Sequence, residues 1–501
     1  MKNLYELLYN SYKEHPDNYY IYDKKYWTYK DVYQYVNSVI IMLMDENVMI
    51  NDKVILYMEN SIEYVIAYFA VLYMGATVVP IISTSTVECI SEIIDDSQPK
   101  LMLTSLNANY KIKNINTSKK VAALSIDIET LNKVSSINLQ EIRTGHLAMI
   151  IYTSGTSSRS KGVMLTHKNL LVNTDSILCY LQLKNTDSIL AILSFAYSYG
   201  NSILLTHTKV GALLYLYKAI YPQAILSLLK TGEFSGFSTV GSFLNVLLKQ
   251  KNITLDSFSK LRYITLAGEQ TASENIIKLQ SMNEYLKIYV MYGQTEASAR
   301  LTYLEPNMLQ KKMGSVGKPV KNVELRILDE SGKEVESGIK GEITVKGENV
   351  MEGYLNKPEE TNEVLKNGWL WTGDIGYKDI DGYVFITGRK RDIIKYLGYR
   401  ISPVEIENCI NQNDNILESA VIEYHCDTSV KIAAAIVLNE RMLDTRSLSK
   451  ELRGKLPLYK IPKIFFVVEE LPKTSNGKIK RQELQCKLLN CRKEDIYEYS
   501  I

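Results

Sequence analysis

A segment rich in hydroxyl residues and glycine, TSGTSSRSKGV at 153–163, directly follows the apolar run LAMIIY. Backbone N–H groups and hydroxyls in a loop after a strand are suited to surrounding phosphate oxygens. Lys161 adds a positive charge that suits the β- and γ-phosphates of a nucleotide. The spacing does not fit GxxxxGK[ST], which disfavours a P-loop NTPase. Taken alone, a surface turn of Ser and Gly explains the segment equally well.

Two further segments carry side chains suited to the rest of a nucleotide. In MYGQTEAS, Tyr292 is suited to stacking on a base, Thr295 to bonding a phosphate and Glu296 to holding Mg²⁺, which prefers oxygen ligands. In WLWTGDIG, Asp374 is predicted to lie on a tight turn, where a carboxylate is suited to two ribose hydroxyls. Together they extend the phosphate-compatible loop toward a complete nucleotide site.

Two basic segments nearer the C-terminus complete the set. GRKRDIIKYLGYR contains Arg389 and Lys395, and LPKTSNGKIKR places Lys478 in a loop that contains glycine. Each of the five segments also has a plain explanation as a turn, a helix cap or a solvated basic run. Five segments compatible with phosphate or ribose in one chain favour a nucleotide-binding enzyme over five unrelated surface features.

Alternating strands and helices are predicted to position these segments. Six apolar runs are predicted to be strands: 53–58, 147–154, 188–193, 212–217, 262–268 and 287–293. Stretches between them show helical periodicity, and strands buried on both faces that alternate with helices predict parallel sheets covered by helices. After about residue 320, VELRIL and EITVKG predict a smaller β-rich unit. Residues 105–145 carry no recognisable chemistry and are interpreted as surface variation.

The uncharged stretch from Tyr64 to Val87 is long enough to suggest a membrane span. Gly75, however, indicates the end of a helix, and TVVPI after it indicates a short buried strand. A core helix followed by a core strand explains the stretch without lipid. We therefore expect no membrane span.

The chain is predicted to divide into a large unit at 1–390 and a compact α+β unit at 391–501. The charged run GRKRD at this boundary is interpreted as a solvated linker or hinge. Ser402, Pro403 and Glu405 predict the start of a helix with a capping box.

The composition is that of an ordinary globular enzyme. The chain has 501 residues, of which 46% are apolar and 23% charged. The net charge of +2 provides no field directed at nucleic acid. Six cysteines without CxxC or zinc-ligand spacing, and an N-terminus without the apolar core of a signal peptide, predict a reduced, cytoplasmic protein.

The order and spacing of TSGT…KG, YGQTE, TGD, GR and PKTSNGK resemble the adenylate-forming superfamily of acyl-CoA synthetases, luciferases and peptide-synthetase adenylation domains. The resemblance runs from WTYKDV near residue 27 to GKIKR at 481 and is greatest to acyl-CoA synthetases. It implies an α/β fold with a large N-terminal adenylation domain of two parallel-sheet subdomains and a β-rich subdomain. A small, mobile α+β C-terminal domain would carry the catalytic lysine.

The resemblance also implies roles for individual residues. The residues that it assigns to ATP are Thr153, Ser154, Gly155, Thr156, Lys161, Gly268, Glu269, Tyr292, Gln294, Asp374 and Arg389. Thr295 would contact the α-phosphate and Glu296 the Mg²⁺ ion. Lys478 would serve adenylate formation, and Lys395 the attack of the thiol. Arg391 would be the hinge, with Ala196 and Tyr197 in the acid pocket.

Some positions depart from the family pattern. Ser158 and Ser160 replace a usual Gly and Pro in the phosphate loop, and Arg391 replaces a usual Asp or Lys at the hinge. Tyr197 stands where many acyl-CoA synthetases have His. Amino-acid-activating relatives have Asp at the position of Ala196, where it pairs with the α-ammonium. Because an unpaired buried ammonium is costly, we expect an acid without an α-amino group.

The implied reaction converts a carboxylic acid and ATP into an acyl-adenylate and pyrophosphate, then transfers the acyl group to a thiol. The thiol is that of coenzyme A or of a phosphopantetheine carrier protein, which would be a separate chain. Three alternatives stay open: an amino-acid or aryl-acid ligase for carrier proteins, a luciferase-like oxidising enzyme and a degenerate binding protein of the same fold. The presence of Glu296, Asp374 and Lys478 argues against the last.

Overall fold

The computed structural model describes most of the chain. The described ranges are 1–105, 121–137, 145–153, 160–218, 221–232, 234–392, 394–396, 399–413, 415–426, 429–439, 445–473, 479–489 and 496–498. Of the residues singled out above, Ser154, Gly155, Thr156, Ser158 and Lys478 lie outside the described residues.

Helices and strands alternate through the first three hundred residues. The α-helices of the described ranges are α1 (Tyr5–Glu14), α2 (Tyr29–Asp45), α3 (Ile62–Tyr73), α4 (Val87–Ser97), α5 (His167–Leu181), α6 (Ser198–Val210), α7 (Pro222–Thr231), α8 (Gly241–Leu248), α9 (Ser273–Met282), α10 (Pro358–Val364), α11 (Pro403–Ile410), α12 (Thr445–Arg453) and α13 (Arg481–Leu489). Short 3-10 turns lie at Leu255–Phe258, Thr295–Ala297, Pro306–Met308 and Leu458–Lys460.

The strands vary in length, from two residues in β15 to eleven in β24. Those of the described ranges are β1 (Tyr19–Asp23), β2 (Lys25–Thr28), β3 (Lys53–Tyr57), β4 (Thr77–Ile81), β5 (Leu101–Thr104), β6 (Ala122–Ser125), β7 (Leu147–Thr153), β8 (Lys161–Thr166), β9 (Ser188–Ala191), β10 (Leu213–Leu216), β11 (Gly236–Thr239), β12 (Tyr263–Leu266), β13 (Lys287–Tyr292), β14 (Thr302–Leu304), β15 (Lys318–Pro319), β16 (Val323–Leu328), β17 (Gly341–Gly347), β18 (Gly353–Tyr354), β19 (Leu365–Lys366), β20 (Trp369–Lys378), β21 (Val384–Arg389), β22 (Ile394–Tyr396), β23 (Tyr399–Ile401), β24 (Ile416–Cys426), β25 (Ser429–Leu438), β26 (Ile464–Val467) and β27 (Ile496–Glu498).

Two largely parallel sheets form the first part of the fold. One has the order β18-β8-β7-β4-β3-β5-β6, and the other has the order β15-β14-β13-β12-β11-β9-β10-β1-β2. The central strands of both sheets pair in parallel, and antiparallel strands lie at their edges. All six predicted strands are present, each shorter by one to three residues than the apolar run that indicated it. Residues 105–145, interpreted as surface variation, also contribute the edge strand β6.

The apolar stretch that begins at Tyr64 forms the core, as predicted. It contains most of helix α3, whose side chains are almost all buried, and the fully buried strand β4. Apolar side chains all around a helix are expected where both its faces pack inside a protein. Within the described ranges, no helix combines the length and apolar character that crossing a membrane requires.

A third, antiparallel sheet follows, in the order β16-β17-β20-β19, with β21 paired to β20. In this pairing Asp374 of β20 lies directly opposite Arg389 of β21. The sheet confirms the predicted β-rich unit. It also corrects one prediction, because Asp374 lies within a ten-residue strand and not on a tight turn.

The last unit is a four-stranded sheet, β24-β25-β26-β27, with the hairpin β22-β23 beside it. Helix α11 begins with Pro403 as predicted, but the capping box is wrong. The Ser402 hydroxyl donates instead to the backbone carbonyl of Thr387, and Glu405 pairs with Lys460 at 2.6 Å. Gly388 explains the choice: a Cβ there would meet Ser402 Oγ at 2.6 Å, so glycine lets the two segments approach.

The C-terminal unit contacts the nine-stranded sheet's helices through the first residues of β24. Asn245 Nδ2 donates to the carbonyl of Leu417 at 3.1 Å, and Lys249 Nζ donates to that of Ile416 at 2.9 Å. The architecture confirms the predicted α/β fold: two parallel-sheet subdomains, a β-rich part and a small α+β unit.

Candidate functional site

The predicted nucleotide residues meet at one edge of the nine-stranded sheet. Tyr292 ends β13, Thr295 begins the turn after it, and Gly268 and Glu269 follow the end of β12 at Leu266. Ala196 follows β9 in the same sheet. Because parallel strands share their carboxyl ends, these segments form one crevice, where open α/β sheets commonly bind ligands.

A sharp reversal after β13 shapes the centre of this crevice. A Cβ on Gly293 would lie 1.9 Å from the carbonyl oxygen of Ala299, so glycine is required for the chain to fold back. The returning chain bonds through Leu301 N to the carbonyl of Tyr292 at 2.9 Å. The reversal therefore holds the turn that carries Thr295 against the end of the strand.

Thr295 is joined to the predicted acid pocket. Its hydroxyl lies 3.2 Å from the hydroxyl of Ser198, the first residue of α6. Ala196 and Tyr197 immediately precede that helix; Ala196 is buried and Tyr197 is half-buried. The structure thus brings the α-phosphate candidate and the acid-binding candidates together.

Asp374 is held between two donors of the predicted site. Tyr292 Oη donates to Asp374 Oδ2 at 2.6 Å, and Arg389 Nε lies 3.0 Å from Asp374 Oδ1. The Asp374 side chain is only 4% exposed. Burial, and then the Asp374 carboxylate, raise the pKa of Tyr292, and the same carboxylate raises the pKa of Arg389. The structure thus brings three of the residues predicted to bind ATP into direct contact.

The run GRKRD is exposed in part, in line with the solvated run that the sequence suggested: Lys390 and Arg391 are exposed, whereas Arg389 is half-buried. Arg389 pairs with Asp374, and Lys390 Nζ pairs with the buried Glu342 at 2.7 Å. Arg391 Nε lies 3.7 Å from Asp392. Burial and the neighbouring Arg389 lower the pKa of Arg391, whereas Asp374 and Glu296 oppose that shift. Because the charges of Asp374 and Glu296 act on Arg391, this residue lies near the residues predicted to bind the nucleotide.

A tyrosine that the sequence analysis missed connects the magnesium and phosphate candidates. Tyr354 Oη donates to Glu296 Oε1 at 3.0 Å, and Lys161 Nζ lies 5.0 Å from the centre of the Tyr354 ring. Burial and then Glu296 raise the pKa of Tyr354, so its hydroxyl keeps its proton and acts as the donor. In the sequence, the segment GYLNKPEET at 353–361 could have indicated Tyr354.

Lys161 is also paired with a carboxylate that the sequence analysis missed. Its Nζ lies 2.5 Å from Glu360 Oε2, and Lys357 Nζ lies 3.2 Å from Glu360 Oε1. Lys161 is the main cause that lowers the pKa of Glu360. A nucleotide phosphate that binds Lys161 must therefore compete with Glu360 for the ammonium group.

A magnesium ion would depend on Glu296 in this arrangement. No group of three or more His, Cys, Asp or Glu side chains suited to a metal occurs within the described ranges. Mg²⁺ commonly binds one or two carboxylates together with substrate phosphates, so the single carboxylate of Glu296 beside Lys161 fits such an ion.

We expect Tyr354→Phe to weaken the use of Mg²⁺-ATP about five- to thirtyfold, because loss of a hydrogen bond to a charged group costs about 1–2 kcal/mol. The increase should appear in the KM for Mg²⁺-ATP, measured at fixed acid, and shrink as Mg²⁺ is raised. Tyr57→Phe is the matched control, since its hydroxyl bonds the carbonyl of Ser83 at 3.0 Å. Equal effects of both variants, or a change in kcat alone, would contradict a positioning role.

The remaining adenine-side candidates serve different contacts. Glu269 Oε1 accepts from the backbone N–H of Ser242 at 2.7 Å, which ties the loop after β12 to the first turn of α8. Gln294 Nε2 is buried and has no hydrogen-bond partner among the described residues. A buried donor of this kind is costly unless a ligand accepts its bond. Gln294 thus adds an amide donor that is available to a ligand.

Of the two lysines predicted to be catalytic, Lys395 belongs to the described residues. Lys395 lies in β22, opposite Arg400 in the hairpin, whereas Lys478 lies outside the described residues. Lys473, five residues before Lys478, pairs with Glu418 at 2.5 Å. Burial raises the pKa of Glu269, and the hydrogen bonds from Ser242 and the charge of Lys473 oppose the rise. Lys473 therefore lies near Glu269, a residue that the resemblance assigns to the adenine side of the crevice.

Family models match both parts of the chain. The model described as AMP-binding enzyme matches residues 8–355, and the model of the AMP-binding enzyme C-terminal domain matches residues 405–478. The chain belongs to the AMP-binding enzyme family. Its resemblance to adenylate-forming enzymes is thereby confirmed.

Relatives and solved structures agree with this membership. The chain is similar to 2-succinylbenzoate–CoA ligase of Bacillus cereus, with 28% identity over 91% of this chain and 93% of the relative. It is also similar to O-succinylbenzoate coenzyme A synthetase (MenE) from Bacillus subtilis in complex with ATP and magnesium ion, with a TM-score of 0.86, 25% identity and coverage of 96% and 99%. ATP-bound MatB from Rhodopseudomonas palustris matches with a TM-score of 0.88, 25% identity and coverage of 98% and 99%.

These similarities confirm the predicted class of enzyme. This member of the AMP-binding enzyme family is an AMP-forming acid–thiol ligase. It uses ATP to activate a carboxylic acid as its acyl-adenylate, and then passes the acyl group to a thiol. ATP and Mg²⁺ are its predicted cofactors, in agreement with the ligands of the matched synthetase.

Proposed function

We propose that this enzyme joins a carboxylic acid without an α-amino group to coenzyme A, and releases AMP and pyrophosphate. Coenzyme A is favoured over a carrier protein as the acceptor, because the similar curated proteins are named CoA ligases. The reaction belongs in the cytoplasm, where ATP and coenzyme A are supplied. The contact that carries the proposal is the Tyr292–Asp374–Arg389 clamp, since it presents a buried carboxylate at the crevice.

The clamp suggests how the nucleotide is bound. Asp374 accepts bonds from the ribose hydroxyls, with Arg389 beside it, while the ring of Tyr292 lies against the base. Gly268, Glu269 and Gln294 border the adenine side. We propose that the loop Thr153–Thr156 and Lys161 bind the outer phosphates, as the family resemblance implies.

The first half-reaction requires an anionic carboxylate to attack an anionic phosphate. Cations placed where negative charge accumulates lower this barrier, and one such contact contributes roughly 3–4 kcal/mol. Thr295 orients the α-phosphate, while Lys161 offsets the negative charge of the departing pyrophosphate. Glu296 would hold a magnesium ion, which would supply further positive charge there. Tyr354 holds Glu296 for this task through its 3.0 Å hydrogen bond.

The second half-reaction needs a different set of groups. AMP now leaves and a thiol attacks, so the pyrophosphate-facing cations are no longer required. We propose that the unit at 391–501 turns about Arg391 between the two steps, so that Lys478 serves adenylate formation and Lys395 serves thiol attack. A hinged unit that offers two loops in turn suits two reactions at one phosphorus.

We expect ATP to be consumed as AMP and pyrophosphate, in an acid-dependent manner. Purified protein would be given Mg²⁺-ATP, coenzyme A and a panel of carboxylic acids, with nucleotides resolved by chromatography and acyl products by mass spectrometry. Carrier proteins replace coenzyme A in a parallel series. ADP as the acid-dependent product would contradict the proposal, and transfer to a carrier alone would overturn coenzyme A as the acceptor.

We expect amino acids to be poor substrates, because Ala196 supplies no carboxylate for an α-ammonium group. Ala196→Asp should not help acids without an amino group, and should lower their kcat/KM at least about tenfold by burying a charge beside an apolar substrate. Ala196→Asn is the matched control for size. The proposal fails if the unmodified enzyme activates an amino acid better than its deaminated analogue.

A further inference from the structure

Arg300 is a buried cation without a carboxylate partner. Arg300 is only 3% exposed. Arg300 Nε donates to Met291 Sδ at 3.2 Å, and one terminal nitrogen donates to the carbonyl of Ala299 at 3.4 Å. The Tyr180 hydroxyl is a further neutral partner: burial raises the pKa of Tyr180, and the charge of Arg300 and its hydrogen bond oppose that rise. In the part of the chain that the structure describes, no Asp or Glu side chain pairs with it.

These contacts compensate the charge only in part. A thioether sulfur is a weak acceptor, and the carbonyl bond is long. The guanidinium carbon also lies 4.2 Å from the centre of the Tyr199 ring, which adds a cation–π attraction. A buried guanidinium with such neighbours retains a strong tendency to bind an anion, and its planar fork matches a carboxylate.

The backbone around Arg300 is fixed from two sides. Asn173 accepts from Arg300 N at 3.3 Å and donates to its carbonyl at 2.9 Å, and Asn349 donates to the same carbonyl at 3.2 Å. The two preceding residues, Ser298 and Ala299, have φ values of 65° and 149°. Non-glycine residues rarely adopt such conformations, and these persist where their surroundings determine them. The fold thus maintains a strained segment that carries a buried cation.

Arg300 adjoins the acid pocket. Tyr199, which stacks on it, is the second residue of α6 and follows Ser198, whose hydroxyl contacts Thr295. Met291, its sulfur partner, immediately precedes Tyr292. In the first turn of α6, Ser198 therefore lies beside the proposed position of the reacting carboxylate, and the next residue, Tyr199, contacts Arg300.

We propose that Arg300 determines specificity for a dicarboxylic acid, by pairing with the carboxylate that does not react. This inference rests on the proposed function, because it concerns the acid that the ligase activates. The first carboxylate is adenylated beside Thr295, while the second enters the region bounded by Tyr199 and Met291. No covalent change occurs at Arg300, which acts only in binding.

The test compares acids in matched pairs under the acid-dependent pyrophosphate assay. Each pair has a dicarboxylic acid and the monocarboxylic acid in which a methyl group replaces the second carboxylate, over several chain lengths and with aromatic and aliphatic spacers. We expect the enzyme to prefer the diacid of at least one pair by about tenfold or more in kcat/KM, as a charge-assisted bidentate contact provides. Equal use of both members of every pair by the unmodified enzyme would overturn the proposal.

Arg300→Met removes the charge and leaves a chain of similar length, so it should fold. It should lose the preference for the diacid, mainly through a higher KM, while the monoacid is used as well as before. Arg300→Lys should restore part of the preference. Arg326→Gln is the control, since Arg326 also stacks on an aromatic ring, that of Trp369 at 4.5 Å.

The outcomes separate the two levels of the proposal. Equal losses for diacid and monoacid in Arg300→Met would assign Arg300 a structural role and overturn its role in specificity. Efficient turnover of monoacids alone would overturn the diacid proposal and leave the ligase intact. Absence of pyrophosphate release with every acid would overturn the proposed function, and this inference with it.

Discussion

Asp374→Asn is expected to lower kcat/KM for ATP by about two orders of magnitude, because hydrogen bonds to a charged group contribute about 1.5–3 kcal/mol. The carboxylate is nearly buried and accepts from both Tyr292 and Arg389, so its two oxygens are fixed where the ribose is expected. An amide in its place keeps the shape but loses the charge and one acceptor. The loss should appear in the KM for ATP and in the binding of AMP, measured by calorimetry.

The same change should also destabilise the fold, and this effect must be separated from ATP binding. Arg389 loses its partner, although its side chain is 32% exposed and water compensates part of the loss. We expect a decrease of about 1–2 kcal/mol in the free energy of unfolding, below the value for a fully buried pair.

Asp187→Asn is a close control for that effect. Asp187 pairs with Arg262 at 2.7 Å, and the two side chains are 7% and 35% exposed, much like those of Asp374 and Arg389. Asp187 immediately precedes β9 and Arg262 immediately precedes β12, so both lie at the edge of the sheet away from the crevice. The control should lose similar stability and keep its KM for ATP. Similar KM values in both variants would show that Asp374 does not bind nucleotide.

Tyr292→Phe separates the contribution of the Tyr292 hydroxyl from that of its aromatic ring. It removes the bond to Asp374 and keeps the aromatic ring, so stacking on adenine should survive. We expect a decrease in kcat/KM of less than about tenfold, the cost of one hydrogen bond. A loss as large as that of Asp374→Asn would indicate that Tyr292 acts through its hydroxyl.

The sequence was sufficient for much of the fold because its local signals were consistent with one another. Apolar runs of strand length alternated with helical periodicity, so the parallel sheets and their helices could be predicted. The helix that contains most of the apolar stretch begun at Tyr64 was assigned to the core correctly, since Gly75 and TVVPI indicated a short helix followed by a strand. Family motifs then supplied the order of the subdomains.

The contacts between segments could not be predicted in the same way. Tyr354 and Glu360 reach Glu296 and Lys161 from a segment about sixty to two hundred residues away, and no local pattern reports such pairings. Asp374 was assigned to a turn because TGD is typical of one, yet strand pairing with Arg389 determined its conformation. Ser402 had the spacing of a capping box, but its hydroxyl donates to the Thr387 carbonyl instead of capping the helix.

The partners of charged side chains were equally invisible in the sequence. GRKRD has the composition of a solvated run, and only the fold reveals the acceptors Asp374 and Glu342. Arg300 follows the YGQTE motif without any feature that distinguishes it from a surface arginine. Its burial among Tyr199, Met291 and Asn173 depends on three separate elements that converge on the end of β13.

The two lysines of the C-terminal unit are expected to divide the half-reactions between them. Lys395 lies in the hairpin β22-β23, whereas Lys478 lies between β26 and α13 in the sequence. A single orientation of this unit is unsuited to placing both ammonium groups at one phosphorus. The charge of Lys473, five residues before Lys478 in the sequence, acts on Glu269. On this basis we propose that Lys478 serves adenylate formation.

Lys478→Ala is expected to reduce adenylate formation by roughly two to three orders of magnitude, since one charge-stabilising contact contributes about 3–4 kcal/mol to such a barrier. It should still convert a supplied acyl-adenylate into the thioester. Lys395→Ala should show the reverse: normal pyrophosphate exchange, accumulated acyl-adenylate and slow thioester formation. Both half-reactions must be measured separately, by isotope exchange and by single-turnover transfer from synthetic acyl-adenylate.

Arg391→Pro tests the rotation itself. Proline fixes φ near −65° and removes freedom at the proposed pivot, so it should favour one orientation and resemble one of the two lysine variants. Lys390→Ala, at the neighbouring position, is the control for disturbance of this segment, because it removes the contact with Glu342 and leaves backbone rotation free. If each lysine variant lost both half-reactions equally, Lys478 and Lys395 would act in one common arrangement. The proposed division of labour would then be wrong, even though the enzyme remains an acid–thiol ligase.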